Sequence, residues 1–213
     1  MADTPRTLVS LPLFPLGTVL YPDGRLSLRV FEVRYLDMVR KCHALGAPFG
    51  VVALTSGAEV RQAGAAPETL APVGTLCHVE TLASPQAGLL TLVGTGSQRF
   101  RTTQCERRIN GLWIADVQLL PEASSAPLPD DLKPCALALE RLLTQLAARS
   151  PGTPGPVPRP WRLDDCGWVA NRWCELLPFP LPQKQLLLEL DSPLVRLELV
   201  WDYLQQSGIG AQG

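Results

Sequence analysis

Apolar residues along the first 120 positions come in short runs broken by turn-forming residues, the pattern of a β-rich lobe. Leu26, Leu28 and Val30 alternate with Ser27 and Arg29, so the apolar set lies on one face of a half-buried strand. Similar runs predict strands over Phe49–Leu54, Gly74–Leu82, Leu89–Thr95, Gln98–Glu106 and Leu112–Leu119. The run from Leu8 to Leu20 is apolar but interrupted by Pro12, Pro15 and Gly17, and reads as a buried strand opening the fold. One helix interrupts the lobe: Tyr35, Leu36, Val39 and Cys42 recur at helical spacing between Glu32 and Ala44. Gly94-Thr95-Gly96-Ser97 reads as a tight turn or a bulge where the sheet bends, and 56–72, rich in Ala and Gly, as a long hairpin loop.

The period changes after Pro121. Residues 122–131 read as a linker, and Leu139, Leu142, Leu143 and Leu146 mark an amphipathic helix beyond it. Residues 150–160 hold five prolines and two glycines, which no helix or central strand tolerates, so they form an exposed connection. Asp164 is placed to cap a second helix with Val169, Trp173, Leu176 and Leu177 on its buried face. A third starts near Pro182 and carries Leu186, Leu187 and Leu190. A last one is capped by Ser192, starts at Pro193, and aligns Leu194, Leu197, Trp201 and Leu204. The reading is an α+β chain with a β-rich lobe over 1–121 and a linker plus antiparallel helical bundle over 122–213.

Composition narrows the functions. A net charge of -1 supplies no global field for a polyanion, and no apolar run approaches the ~20 residues of a spanning helix. Neither nucleic acid nor membrane is therefore expected as a partner. Six cysteines are spread without a CxxC pair, as in a chain with reduced thiols in the cytoplasm, and only Arg6 precedes the first apolar run, unlike a secretory signal.

Catalytic signatures are sparse. Lys41, Lys133 and Lys184 are the only lysines and none follows a glycine, which excludes a Walker nucleotide loop. Gly94-Thr95-Gly96 lacks the third glycine of a dinucleotide fingerprint, since Arg99 stands there and a strand follows. The only histidines, His43 and His78, each follow a cysteine. Two Cys-His pairs could ligate zinc, but neighbours in a helix or strand point apart, so no metal or other cofactor is expected. Neither histidine sits in a nucleophile setting. Two features suit binding instead. Arg99, Arg101, Arg107 and Arg108 cluster around Phe100, as a phosphate-tracking or a merely solvated strand face would. Trp161 stands between Arg159 and Arg162, a composition found in interface hot spots.

Several stretches together resemble the N-terminal domain of the Lon protease family: Leu11-Pro-Leu-Phe-Pro-Leu-Gly17, Val19-Leu-Tyr-Pro22, Leu26-Ser-Leu-Arg-Val-Phe-Glu-Val-Arg-Tyr35 and Phe49-Gly-Val-Val52. The resemblance continues through Val73-Gly-Thr75, Gly96-x-x-Arg99-Phe100, residues 176–182 and Lys184-Gln185-x-Leu-Leu-x-Glu-x-Asp191, with Val33 where many relatives carry proline. It implies a PUA-like pseudo-barrel with a helical bundle, the part of Lon that recognises substrate proteins. The chain's end at Gly213 leaves no room for the ATPase and Ser-Lys peptidase modules, so a stand-alone, non-catalytic domain is expected. The reading that follows is a substrate-recognition or adaptor domain for unfolded or flexible polypeptides, working beside a separate protease, with Arg34, Arg99 and Trp161 as contacts. Two rivals stay open: RNA binding through the PUA-like lobe, and a hydrolase, for which no nucleophile and base can be named.

Overall fold

In the computed structural model the described residues are 6–57, 68–121, 126–149 and 157–208. They fall into two compact units, Met1–Glu122 and Ala123–Gly213.

The first unit carries strands β1 (Thr7–Leu16), β2 (Arg25–Val30), β3 (Phe49–Ser56), β4 (Thr69–Gln86), β5 (Leu89–Arg107) and β6 (Trp113–Leu119), with helix α1 (Val33–Leu45) between β2 and β3. The sheet order is β2-β5-β4-β3-β1-β6, and β6 also pairs with β5, closing a five-stranded ring to which β2 adds as a flap. Only the β1–β3 pairing is parallel, and the β2–α1 segment supplies the long crossover that a parallel pair requires. β1 is apolar on both faces because each face meets a different core. Leu11 and Leu13 point into the ring with Val52, Leu76, Phe100, Ala115 and Val117. Phe14 and Leu16 point out against Tyr35, Leu36 and Val39 of α1. The ring of Phe14 stacks on Tyr35 at 4.2 Å.

Phe100 fills the barrel because two glycines leave it space. A Cβ at Gly50 or at Gly74 would stand 2.7 Å from Phe100 Cζ. The segment at Gly94–Ser97 is not a turn: β5 runs unbroken through it for 19 residues. Its glycines permit close approach instead, since a Cβ at Gly96 would lie 2.4 Å from the Tyr21 carbonyl oxygen, and one at Gly94 2.7 Å from Cys77 Sγ. The segment also holds the bulge: Thr75 and Cys77 of β4 pair with Arg99 and Gly96 of β5, so β5 carries the extra residue at Ser97 and Gln98, where the sequence allows a bulge. The expected loop over 56–72 is shorter at its far end, where β4 begins at Thr69, and its tip lies outside the described residues.

The second unit has a short 3-10 turn at Asp130–Leu132 followed by α2 (Lys133–Ala148), α3 (Cys166–Leu176), α4 (Leu181–Glu189) and α5 (Pro193–Gln206). Each of the other three helices packs on α3. Asp165, not Asp164, caps α3, its carboxylate accepting from the Trp168 N–H at 2.7 Å; Ser192 caps α5 as expected, with Pro193 in its first turn. The buried face of α4 is Gln185, Leu187 and Leu188, and Leu186 is exposed. Arg196 of α5, 2 % exposed, joins three helices. It donates to the Leu187 carbonyl at 2.7 Å, to the Leu190 carbonyl, and to Asn171 Oδ1 on α3 at 3.0 Å. Two carbonyls at the end of α4 that the helix itself leaves open are thereby satisfied. Most of the proline-rich connection at 150–160 lies outside the described residues, as do 122–125 of the linker.

Candidate functional site

In the first unit, a groove of about 380 Å³ runs along α1. Arg34, Asp37, Met38, Lys41, Cys42 and Leu45 line it from the helix, at the spacing of a single helical stripe. Pro12 of β1, Leu112 and Ile114 complete an apolar floor, and Arg108 and Asn110 stand on the opposite wall. At the helix C-terminus, Gly46 adopts φ 61°, which only glycine enters without strain, and the chain turns through Ala47 and Pro48 at the groove's end. Leu45 remains 69 % exposed at that lip. The rim charges are of both signs, and Asp37 already faces Arg40 at 3.8 Å.

The opposite wall is a hairpin turn pinned from two sides. Arg108 and Leu112 bracket it, the Arg108 N–H donating to the Leu112 carbonyl at 2.8 Å, and Gly111 takes φ 84°. Arg34 reaches across from α1 and donates to the Gly111 carbonyl at 2.7 Å, while its guanidinium pairs with Glu32 at 2.9 Å. Arg107 pairs with Glu68 at 3.2 Å, and the other Glu68 oxygen accepts from the Trp113 indole N–H at 2.6 Å. Beneath this network the Tyr35 hydroxyl is pushed up to about 12, chiefly by burial. The turn is therefore a fixed wall that holds Ile109 out in solvent.

Of the three residues expected as contacts, two lie inside. Arg34 is 8 % exposed and ties α1 to the hairpin, and Arg99 is 5 % exposed within β5. Arg34 nonetheless lines the α1 groove while it ties the helix to the hairpin, and Arg99 packs within the sheet. The arginine cluster is divided in the same way: Arg99 is buried and Arg107 is paired with Glu68, leaving Arg101 and Arg108 at the surface. Trp161 stays half-buried in the second unit, its N–H donating to the Val157 carbonyl at 3.3 Å and its ring covered by Arg159 at 4.0 Å. Of the residues that pin the groove wall, Arg107 stands out in sequence only as part of the arginine cluster, and Glu68, Gly111 and Trp113 carry no local sequence signal. Their partners are 39 to 77 residues away along the chain.

The two Cys-His pairs split as neighbouring residues must. Cys42 and Cys77 point into the core, and His43 and His78 face solvent. Burial pushes the Cys77 thiol up to about 12, so it is an inert apolar filler. Among the described residues no helix is long and apolar enough to cross a membrane.

A closed β-ring with a flanking helix, followed along the chain by a helical unit, defines an α+β protein. The family model for the substrate-binding domain of ATP-dependent protease La (Lon) matches residues 10–206, and the chain belongs to that family. It is similar to a Lon N-terminal domain protein from Xanthomonas campestris, with 34% identity and a TM-score of 0.70 over 92% of this chain and 99% of that one. The N-terminal domain of the Lon protease of the Mycobacterium avium complex shares the fold at 17% identity, TM-score 0.60, covering 92% of this chain and 98% of that one. No curated protein matches the chain.

Proposed function

We propose that this chain is a non-catalytic, cytoplasmic recognition domain that holds flexible polypeptides by seating their apolar side chains in the α1 groove and delivers them to a separate protease. The observation that carries this reading is the groove itself: an apolar floor between a rigid helix and a pinned turn, with rim charges of both signs that select no single ligand charge. Apolar segments are buried in folded proteins and displayed in unfolded ones, so such a groove distinguishes the two states. The Trp161–Arg159 pair of the second unit is a further contact under this reading, an aromatic surface that costs little rotamer entropy on binding.

The test is fluorescence anisotropy with a reduced, alkylated polypeptide that cannot fold. Leu45→Asp places a carboxylate at the groove lip, and a bound apolar side chain must then desolvate it. We expect binding about tenfold weaker, near 1.4 kcal/mol, with the circular dichroism spectrum unchanged. Trp161→Ala is expected to weaken binding about fivefold. Parental affinity in Leu45→Asp refutes the groove. Tight RNA binding with a steep salt slope and no polypeptide binding would replace the whole reading with the nucleic-acid one.

A further inference from the structure

Among the described residues of the second unit, five large apolar side chains are exposed, and three of them, Leu194, Val195 and Leu199, belong to α5. At 100° per residue the exposed positions of α5 occupy one arc, opposite the buried Arg196, Leu197, Val200 and Leu204. Within that arc Glu198 and Asp202, also exposed, lie one turn apart along its centre, with Leu194 on one flank and Val195 and Leu199 on the other. Two like charges at this spacing disfavour the helix that carries them. The only cation on α5 is Arg196, which is buried and committed to Leu187, Leu190 and Asn171. The helix thus shows an apolar surface divided by a carboxylate pair that no cation of its own relieves.

We infer that the outward face of α5 is a docking surface for a basic amphipathic helix of another protein. A partner helix laid along α5 would set Lys or Arg over Glu198 and Asp202 and press its apolar stripe onto Val195 and Leu199. A second copy of this chain fits poorly, because a two-fold pairing of the face would bring four carboxylates together. The surface belongs to the second unit and the α1 groove to the first, and the inference does not rest on the groove reading.

The probes are two labelled helical peptides with leucine at the same heptad positions, one filled with lysine and the other with glutamate. The lysine peptide should bind the full chain about tenfold tighter than the glutamate peptide at low salt, and Glu198→Lys/Asp202→Lys should invert that preference. The neutral Glu198→Gln/Asp202→Asn variant should equalise the two peptides, and serves if the charge reversal disturbs folding. Leu199→Ser should weaken lysine-peptide binding about fivefold. Equal binding of both peptides to the parent chain, or an unaltered ratio in the neutral variant, overturns the inference. So does a dimer in sedimentation velocity that Leu199→Ser dissociates, since the face would then belong to a second copy.

Discussion

Replacing Gly50 by alanine tests the packing of the β-ring most directly. The backbone there is not in the left-handed region, so the added methyl should restrict the unfolded chain and stabilise by ~0.4–1 kcal/mol if space allowed. Space does not allow it. The new Cβ would lie 2.7 Å from Leu13 Cδ2 and Phe100 Cζ and 3.0 Å from Leu11 Cδ2, where carbon pairs prefer ~3.5–4.0 Å. Overpacking of this kind costs ~1–3 kcal/mol, so the net expected loss is about 1–2 kcal/mol, or a fall of about 1 M in the urea midpoint at constant slope. Four of the five tryptophans lie in the second unit, so fluorescence would report mainly that unit. Pulsed alkylation of Cys77, fully buried in the first unit, reports the right one. Phe100→Leu removes the colliding Cζ, and in the double variant the penalty at Gly50 should shrink by about 1 kcal/mol relative to the sum of the single changes. Gly74→Ala is the control: its Cβ would also meet the Val51 carbonyl oxygen at 2.4 Å, a backbone atom, so Phe100→Leu should rescue it far less. Additivity at Gly50, or equal rescue at both glycines, would refute this account of the barrel interior.

Arg196→Met should destabilise the second unit by ~3–5 kcal/mol, read by tryptophan fluorescence in urea, because Asn171 Oδ1 and two carbonyls lose their buried donor together. Raising the pH from about 10 to about 12 should erode the stability of the first unit. The folded Tyr35 holds its proton to about 12 against an ordinary value of 10.0, so its contribution is complete below 10 and lost as pH passes the folded value; Tyr35→Phe should flatten that decline in denaturation titrations. Alkylation of the native chain at pH 8 should modify Cys105 first and spare Cys42, Cys77, Cys135, Cys166 and Cys174, as mapped by peptide mass spectrometry, because Cys105 is the only exposed thiol.

The elements were legible where local chemistry decides them. Alternation placed the strands, the Tyr35–Cys42 spacing placed α1, and the Ser192-Pro193 pair fixed the start of α5. Errors arose where distance along the chain hides the cause. Gly94 and Gly96 carry the usual signal of a turn, but their role is set by Cys77 and Tyr21, which only the folded sheet brings near. Arg34 and Arg99 are charged side chains of a helix and a strand that sequence alone places in solvent. Yet Arg34 finds a carbonyl 77 residues away, and no local pattern encodes that partner. The apolar groove shares this origin: Pro12 and Ile114 are ordinary strand residues in sequence, and only the pairing of β1 with β6 sets them side by side in its floor.

Glu68 has a consequence for what this chain can accept as an insertion. It is gripped by Arg107 and Trp113, and beside it Thr69 pairs with Ser56 while its carbonyl accepts the Thr55 hydroxyl. The two ends of the 58–67 segment are therefore held together by contacts that do not involve the segment itself. Its length becomes nearly a free variable, since each doubling of a closed loop costs only ~0.6 kcal/mol. Peptide tags inserted there should leave the β-ring unaltered.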